Sequence, residues 1–199
     1  MNIGILCHKM KSMGITGTLA KWIFSFLSNR KQHIVINGTI SKPSEVKSGV
    51  PQGTVLGTIL FLILINDIDQ EVTSKVSLFA DDTRVMGPIK QEDDVENLQR
   101  DLDKIYEWQQ KNNMIFNGEK FEMLRYGKNQ EIKMNTNYFS PNYEDIIEVK
   151  DNLRDLGIIM SDNASFKKHI QKVCSSATQK ISWIQIILEN SGVGAYRLL

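Results

Sequence analysis

The chain has 199 residues, of which 41% are hydrophobic and 24% are charged, close to the average for a globular domain. This composition excludes a disordered chain and a low-complexity repeat. The cysteines, Cys7 and Cys174, lack metal-site spacing, so neither a disulfide framework nor a zinc site is indicated. The longest apolar run, Thr54–Ile65, is shorter than the roughly 18 residues that cross a bilayer, so we expect no membrane association.

The charge is distributed unevenly, although the net charge is only +1. The first 50 residues carry seven Lys or Arg against the single acid Glu45, whereas residues 51–100 carry four against nine acids. Basic flanks around an acidic centre suit a protein that holds a polyanion at its edges and metal cations in the middle. A solvated charged surface would explain the same layout.

In the first half of the chain, the hydrophobic pattern predicts two helices separated by a hairpin. An amphipathic helix is expected over residues 16–29 with Thr16 as its cap, and an apolar helix over about 54–66. Between them, Asn37-Gly38 joins two short β-rich runs within residues 33–40. This dipeptide is a strong signal for a tight hairpin turn.

A second hairpin is predicted from the runs Val76–Ala80 and Thr83–Gly87, which leave only Asp81 and Asp82 between them. Such a turn favours Asn-Gly or Asp-Gly, because residues other than glycine lose free energy at positive φ. Two acids retained at that position indicate a chemical role.

The second half predicts a long helix over residues 91–113, a strand over 121–126 and a polar loop over 127–143. A strand pair formed by residues 146–149 and 156–160 follows, and then a long, partly basic helix that begins at Phe166. This order of elements predicts an α+β fold with a mainly antiparallel sheet.

Four segments together resemble a known family. They are, in chain order, Ser48-Gly-Val-Pro-Gln-Gly-Thr-Val-Leu-Gly57, Phe79-Ala-Asp-Asp-Thr83, Asn117-Gly-Glu-Lys120 and Asp155-Leu-Gly-Ile158. Their combination resembles the reverse transcriptases of non-LTR (LINE-like) retrotransposons over about residues 3–190. The resemblance implies a right-hand polymerase fold, with a partial palm over residues 1–160, the start of a helical thumb over 161–199, and the fingers missing.

The resemblance also implies an activity, RNA-directed DNA synthesis. The partners would be an RNA template, a DNA primer and deoxynucleoside triphosphates, in an intracellular setting, nucleus or cytoplasm. Asp81 and Asp82 would be catalytic ligands of two Mg²⁺ ions, for which hard carboxylate oxygens are suited. Lys120 would be a catalytic residue near the nucleotide phosphates.

The same resemblance assigns three binding roles. Residues near the template and the incoming nucleotide would be Pro51, Gln52 and Gly53. Residues of the primer grip would be Leu156 and Gly157. Residues that contact the nucleic-acid backbone would be Lys9, Lys11, Arg30 and Lys31.

One departure from the family concerns the first metal-binding aspartate, which lies in a strand just before the segment that resembles Gly4–Gly14. This chain begins with Met1-Asn-Ile, expected within or just after that strand. Two carboxylates on one turn do not complete a two-metal site, so we expect a fragment that is inactive alone. Asp67 or Asp69 could supply the third ligand, although both are better explained as the end of the apolar helix. The alternative function is a non-catalytic, degenerate or co-opted palm that binds nucleic acid or a protein.

Overall fold

A computed structural model describes residues 2–127, 136–140 and 145–190. The chain divides into two compact units, Met1–Asn117 and Gly118–Leu199. Helices are interspersed with small two-stranded sheets, most of them antiparallel. The predicted α+β class is therefore confirmed. The palm and thumb boundary near residue 160 stays a prediction.

Three helices form the core of the first unit: α1 (Ile3–Ser12), α2 (Gly17–Leu27) and α3 (Val55–Ile65). Each contributes a pair of buried side chains one turn apart, which is the spacing that places both on one helix face. The buried cluster consists of Leu6, Met10, Ile23, Leu27, Leu60 and Leu64.

Helix α1 occupies residues 3–12, so the expectation that these residues lie within a strand is wrong, whereas a start just after a strand stays a prediction. Asn2 caps this helix, because its Oδ1 accepts hydrogen bonds from the backbone N–H groups of Gly4 (2.8 Å) and Ile5 (3.3 Å). Leu6 and Met10 are buried in the helical core. An N-cap followed by apolar residues at helical spacing was the available sequence signal for this helix.

The predicted helices α2 and α3 are confirmed, with one difference at the caps. Thr16 makes no side-chain capping bond to α2. Thr54 does cap α3, because its Oγ1 accepts a hydrogen bond from the Gly57 N–H at 3.0 Å.

The predicted first hairpin is confirmed and lies between α2 and α3. Strand β2 (Val35–Ile36) pairs with β3 (Thr39–Ile40), and β1 (Lys31–Gln32) pairs with β4 (Ser44–Glu45) beyond them. Asn37 and Gly38 form the turn, with φ values of 49° and 79°. Both residue types tolerate this left-handed region, as the dipeptide signal requires.

The second hairpin consists of β5 (Lys75–Phe79) and β6 (Asp82–Met86), and it leads into α4 (Glu92–Lys111). A capping box starts α4: the Asp94 carboxylate accepts hydrogen bonds from the backbone N–H groups of Lys90 (2.8 Å) and Gln91 (3.1 Å). The predicted helix over residues 91–113 is thus confirmed.

The second unit corrects the predicted pairing of residues 146–149 with 156–160. Strand β7 (Glu122–Leu124) pairs in parallel with β8 (Glu148–Lys150), while β9 (Asn152–Asp155) pairs antiparallel with β10 (Ile158–Ser161). The reason is the tight turn at Leu156-Gly157, with φ values of 45° and 90°, which folds β10 back onto the residues just before it. Most of the predicted loop over 127–143 lies outside the described residues.

A long helix, α5 (Lys167–Asn190), follows β10 and confirms the helix predicted from Phe166 onward. Helix α5 contacts β10. Across the described ranges, none of the helices has both the length and the apolar character needed to cross a membrane.

Candidate active site

Asp81 and Asp82 lie at the tip of the β5–β6 hairpin. The strands pair from Lys75 and Met86 at the base to Phe79 and Asp82 at the tip. The two-residue loop is therefore Ala80-Asp81, one position earlier than predicted, and Asp82 begins β6. Both carboxylates are exposed to solvent.

The backbone at this tip is strained at one residue, where the sequence suggested two. Ala80 has φ of 53°, whereas neither acid is among the residues with positive φ. An L-residue with a Cβ loses about 1–2 kcal/mol in this region. Alanine has the smallest side chain that carries a Cβ, so placing Ala80 there frees both acids from that strain.

The base of the hairpin is held by a residue that the sequence analysis missed. Asp101 of α4 is only 1% exposed, and its carboxylate accepts hydrogen bonds from the N–H groups of Thr73 and Ser74. Burial would raise the pKa of Asp101, but hydrogen bonds from Ser74 and Thr73 outweigh it and lower the pKa to about 2. An acid on the apolar stripe of α4, between Leu98 and Ile105, was the available signal.

The Pro-Gln-Gly loop is built tightly onto the start of α3. Pro51 O accepts a hydrogen bond from Thr54 Oγ1 at 2.8 Å, and a Cβ added to Gly57 would collide with Pro51 O and with Thr54 Oγ1. Gly57 is therefore needed for the loop to close, a role that sequence reasoning missed. Gln52 and Gly53 are exposed, and nothing lies within 4 Å of a Cβ added to Gly53. Another molecule has room to approach the Gly53 backbone.

Arg30 holds the segment that leads into this loop. Its guanidinium donates hydrogen bonds to the carbonyl of Gly49 (2.5 Å) and to the carbonyl of Leu27 at the end of α2 (3.0 Å). The predicted backbone-contact residue thus connects α2 to the residues before Pro51.

Lys9 also makes contacts within its own unit. Its ammonium lies 2.5 Å from Asp67 Oδ1, donates to Leu64 O at 2.6 Å, and lies 4.8 Å from the centre of the Trp108 ring. Trp108 Nε1 donates to the same Asp67 oxygen at 2.8 Å. Asp67 lies just after α3 and binds Lys9 of α1 and Trp108 of α4, so it connects three helices. This structural role accounts for an acid at position 67 without metal binding.

The remaining predicted residues are exposed. In the first unit these are Lys11 and Lys31, and in the second unit Lys120 and Leu156. Lys120 ends a short 3₁₀ helix, Gly118–Lys120, just before β7. Leu156 and Gly157 form the β9–β10 turn.

The donor chemistry of the hairpin tip suits a divalent cation only in part. Exposed carboxylate oxygens are the ligands that Mg²⁺ prefers, and the ion commonly retains waters or binds substrate phosphates besides. Within the part of the chain that the structure describes, no group of three or more His, Cys, Asp or Glu could hold a metal ion. Asp81 and Asp82 thus fit as part of a ligand set.

Comparison with known proteins assigns the family. The reverse transcriptase (RNA-dependent DNA polymerase) family matches residues 2–163. The RNA-directed DNA polymerase from mobile element jockey of Drosophila melanogaster is 27% identical over 177 residues, which cover 80% of this chain and 18% of that protein. Its counterpart from Drosophila funebris is 27% identical over 198 residues, which cover 92% of this chain and 20% of that protein.

A third relative is the probable RNA-directed DNA polymerase from transposon X-element of Drosophila melanogaster, 25% identical over 166 residues, with 79% of this chain and 18% of that protein covered. The chain therefore spans about a fifth of the length of these relatives. No solved structure gives a significant match. The matches confirm the resemblance drawn from the motifs, and the chain belongs to the reverse transcriptase family.

Proposed function

We propose that this chain supplies palm and initial thumb residues of a non-LTR retrotransposon reverse transcriptase, in which Asp81 and Asp82 hold divalent metal for DNA synthesis. The hairpin supports this proposal most strongly. It presents two adjacent, exposed acids next to a strained Ala80, in a chain of the reverse transcriptase family. Strain retained at a turn is typical of functional sites.

In this proposal Asp81 is the principal metal ligand and Asp82 a weaker or outer one. When bound, two Mg²⁺ ions would activate the primer 3′ hydroxyl and stabilise the leaving pyrophosphate. The protein's own contribution is to fix the carboxylates on a short hairpin, whose loop has only two residues. Such fixation keeps the oxygens in place before the substrate arrives.

The other predicted residues act on the substrates. Gly53, which has room around its backbone, would lie with Gln52 against the template and the incoming nucleotide. Lys120 would hold a nucleotide phosphate, and the Leu156-Gly157 turn would support the primer end. Lys11 and Lys31, both exposed, would contact the nucleic-acid backbone.

We expect residues 1–199 alone to carry out no templated DNA synthesis. Two carboxylates on one hairpin do not position two ions against both the primer hydroxyl and the triphosphate. Weak binding to a primer-template, carried by basic residues, would remain and would fall as salt concentration rises.

The test is primer extension on an RNA template with Mg²⁺, using a version of the chain that carries an upstream strand with an aspartate. We expect synthesis in this extended version and none after Asp81→Ala. Asp93→Ala, which removes an exposed acid on α4, is the matched control and should leave synthesis intact.

Synthesis by the extended version that survives Asp81→Ala would overturn the metal-site assignment. Robust synthesis by the unextended chain would overturn the expectation of inactivity and would redirect the search for a third ligand. Salt-dependent binding with no synthesis in either version would favour the non-catalytic palm, the alternative that an incomplete ligand set supports.

A further inference from the structure

The segment that enters β5 is attached to α4 through one buried carboxylate. Asp101 Oδ2 accepts hydrogen bonds from Ser74 N at 2.7 Å, from Thr73 Oγ1 at 2.8 Å and from Thr73 N at 3.1 Å. Three donors from two consecutive residues thus converge on one oxygen. These residues immediately precede Lys75, where β5 begins.

Lys104, one turn further along α4, adds a second attachment. Its ammonium donates a hydrogen bond to Glu71 O at 2.6 Å and lies 3.6 Å from Asp101 Oδ1. Glu71, Thr73 and Ser74, three of the four residues that lead into the hairpin, are therefore bonded to α4. The cation also compensates the buried charge of Asp101, which would otherwise be costly.

The other end of the hairpin reaches α4 covalently. After β6 the chain passes Gly87 and enters the capping box at Gln91 and Asp94. A Cβ added to Gly87 would lie 3.5 Å from Ser74 Oγ and 3.6 Å from Leu98 Cδ1, so the base of the hairpin lies beside α4. Asp94 and Asp101 are about 10 Å apart along the helix axis.

We propose that Asp101 is the positioning residue for the Asp81–Asp82 hairpin. The effect of this positioning on DNA synthesis rests on the function proposed above. The attachment of the hairpin to α4 does not. The covalent connection to α4 and the half-buried face of its strands hold the hairpin near the helix, but neither fixes the start of β5 by hydrogen bonds. The bonds from Thr73 and Ser74 to Asp101 fix the other strand and so set its direction.

The length of the hairpin makes this attachment important. From Ser74 through β5 to Asp81 in the loop, the chain reaches at most about 23 Å at roughly 3.3 Å per residue. A tilt of about 3° at the base would therefore move the tip by about 1 Å, a displacement that can lower a reaction rate about 100-fold. Because Asp101 is buried beside the base of the hairpin, it would act through the direction of the hairpin and not by touching substrate or metal.

The experiment measures that direction with two spin labels on the full chain. Thr83→Cys on the hairpin and Gln110→Cys on α4, both at exposed positions, carry nitroxides after Cys7 and Cys174 are replaced by serine. Pulsed electron spin resonance then gives the distribution of the distance between the labels. We expect a single narrow distribution in the parent and a clearly broader one after Asp101→Ala, which removes the acceptor of these hydrogen bonds.

Two further variants complete the comparison. Asp93→Ala removes an exposed acid of the same helix and should leave the distribution narrow. Thr73→Val removes one donor without disturbing the buried charge, and it should broaden the distribution less than Asp101→Ala does. Thr73→Val decides the question if Asp101→Ala does not fold.

An unchanged distribution in folded Asp101→Ala, or in Thr73→Val when Asp101→Ala is unfolded, would overturn the proposal. This result is independent of catalysis. Failure of primer extension in the extended version would overturn the proposed function and leave the attachment standing. Unchanged label distances would overturn the positioning role of Asp101 and leave the metal-site assignment standing.

Discussion

The two hairpins of the first unit have loops of equal length but are specified in different ways. The β2–β3 loop is Asn37-Gly38, with both residues at positive φ, and its strands are exposed. The β5–β6 loop is Ala80-Asp81, where Ala80 alone has positive φ, and its base is bonded to Asp101. Turn chemistry suffices for the first hairpin, whereas a tertiary contact supports the second. The hairpin with the less favourable turn is the one that carries the candidate catalytic acids.

The largest effect is expected from removal of the tertiary contact. Asp101→Ala leaves the N–H groups of Thr73 and Ser74 and the Thr73 hydroxyl without their acceptor. We expect the free energy of unfolding in denaturant to fall by about 3 kcal/mol. Asp93→Ala is the control, with a loss of at most about 1 kcal/mol because Asp93 lies in the first turn of α4. Equal losses in the two variants would contradict the special role of Asp101.

Acid should weaken the β5–β6 hairpin through the same residue. Because the pKa of Asp101 is lowered from 3.8 to about 2, its ionised form favours the folded state above pH 4, and this contribution disappears as the pH falls towards 2. The shift corresponds to about 2 kcal/mol. Asp101→Asn should remove this part of the pH dependence of the unfolding free energy. If the parent and Asp101→Asn lost stability equally between pH 4 and pH 2, this attribution would be wrong.

The local stability of the first hairpin should depend on its turn residues and not on Asp101. Gly38→Ala places a Cβ at φ of 79°, at a position with no atom within 4 Å of it, so strain alone opposes the change. We expect a loss of about 1–2 kcal/mol in the local opening free energy. Hydrogen exchange of the Ser41 amide, which donates to Ile34 O, measures it. Exchange that stays at the parent rate would show that the turn does not specify this hairpin.

The smallest effect is expected at the strained turn of the second hairpin. Ala80→Gly removes the strain at φ of 53° and should raise the free energy of unfolding by about 0.5–1 kcal/mol. The gain is limited because glycine also increases the entropy of the unfolded chain. Ala164→Gly provides a comparison at another alanine with positive φ, 57°. A clear loss of stability in Ala80→Gly would mean that Ala80 makes favourable contacts that outweigh its strain.

The sequence predicted an element well where its turn or capping residues agreed with its hydrophobic periodicity. Asn37-Gly38 gave the first hairpin, and the acids at the start of α4 gave its N-terminus. The β5–β6 register shifted by one because an alanine, and not an acid, adopts positive φ. Alanine has no intrinsic preference for positive φ, so the sequence did not indicate that Ala80 would adopt it.

The sequence indicated the motifs of the candidate site, whose roles stay predictions, but it did not indicate the contacts that these residues make. The roles of Arg30 and Lys9 depend on which carbonyl and carboxylate groups fold next to them, and both partners of Lys9 lie more than 50 positions away. A basic residue that binds Gly49 O has the same sequence signature as one that binds a phosphate. Only tertiary structure separates the two.

We propose that the β5–β6 tip binds a divalent cation through Asp81 and Asp82. Mn²⁺ titration of the ¹⁵N-labelled chain tests this binding directly, because a bound paramagnetic ion broadens the amide resonances of nearby residues. We predict broadening of Ala80 to Thr83 at lower Mn²⁺ concentration than broadening of the acidic turn Glu92–Asp94, with loss of the former in Asp81→Asn. Broadening confined to Glu92–Asp94, or broadening at the tip that persists in Asp81→Asn, would contradict the claim.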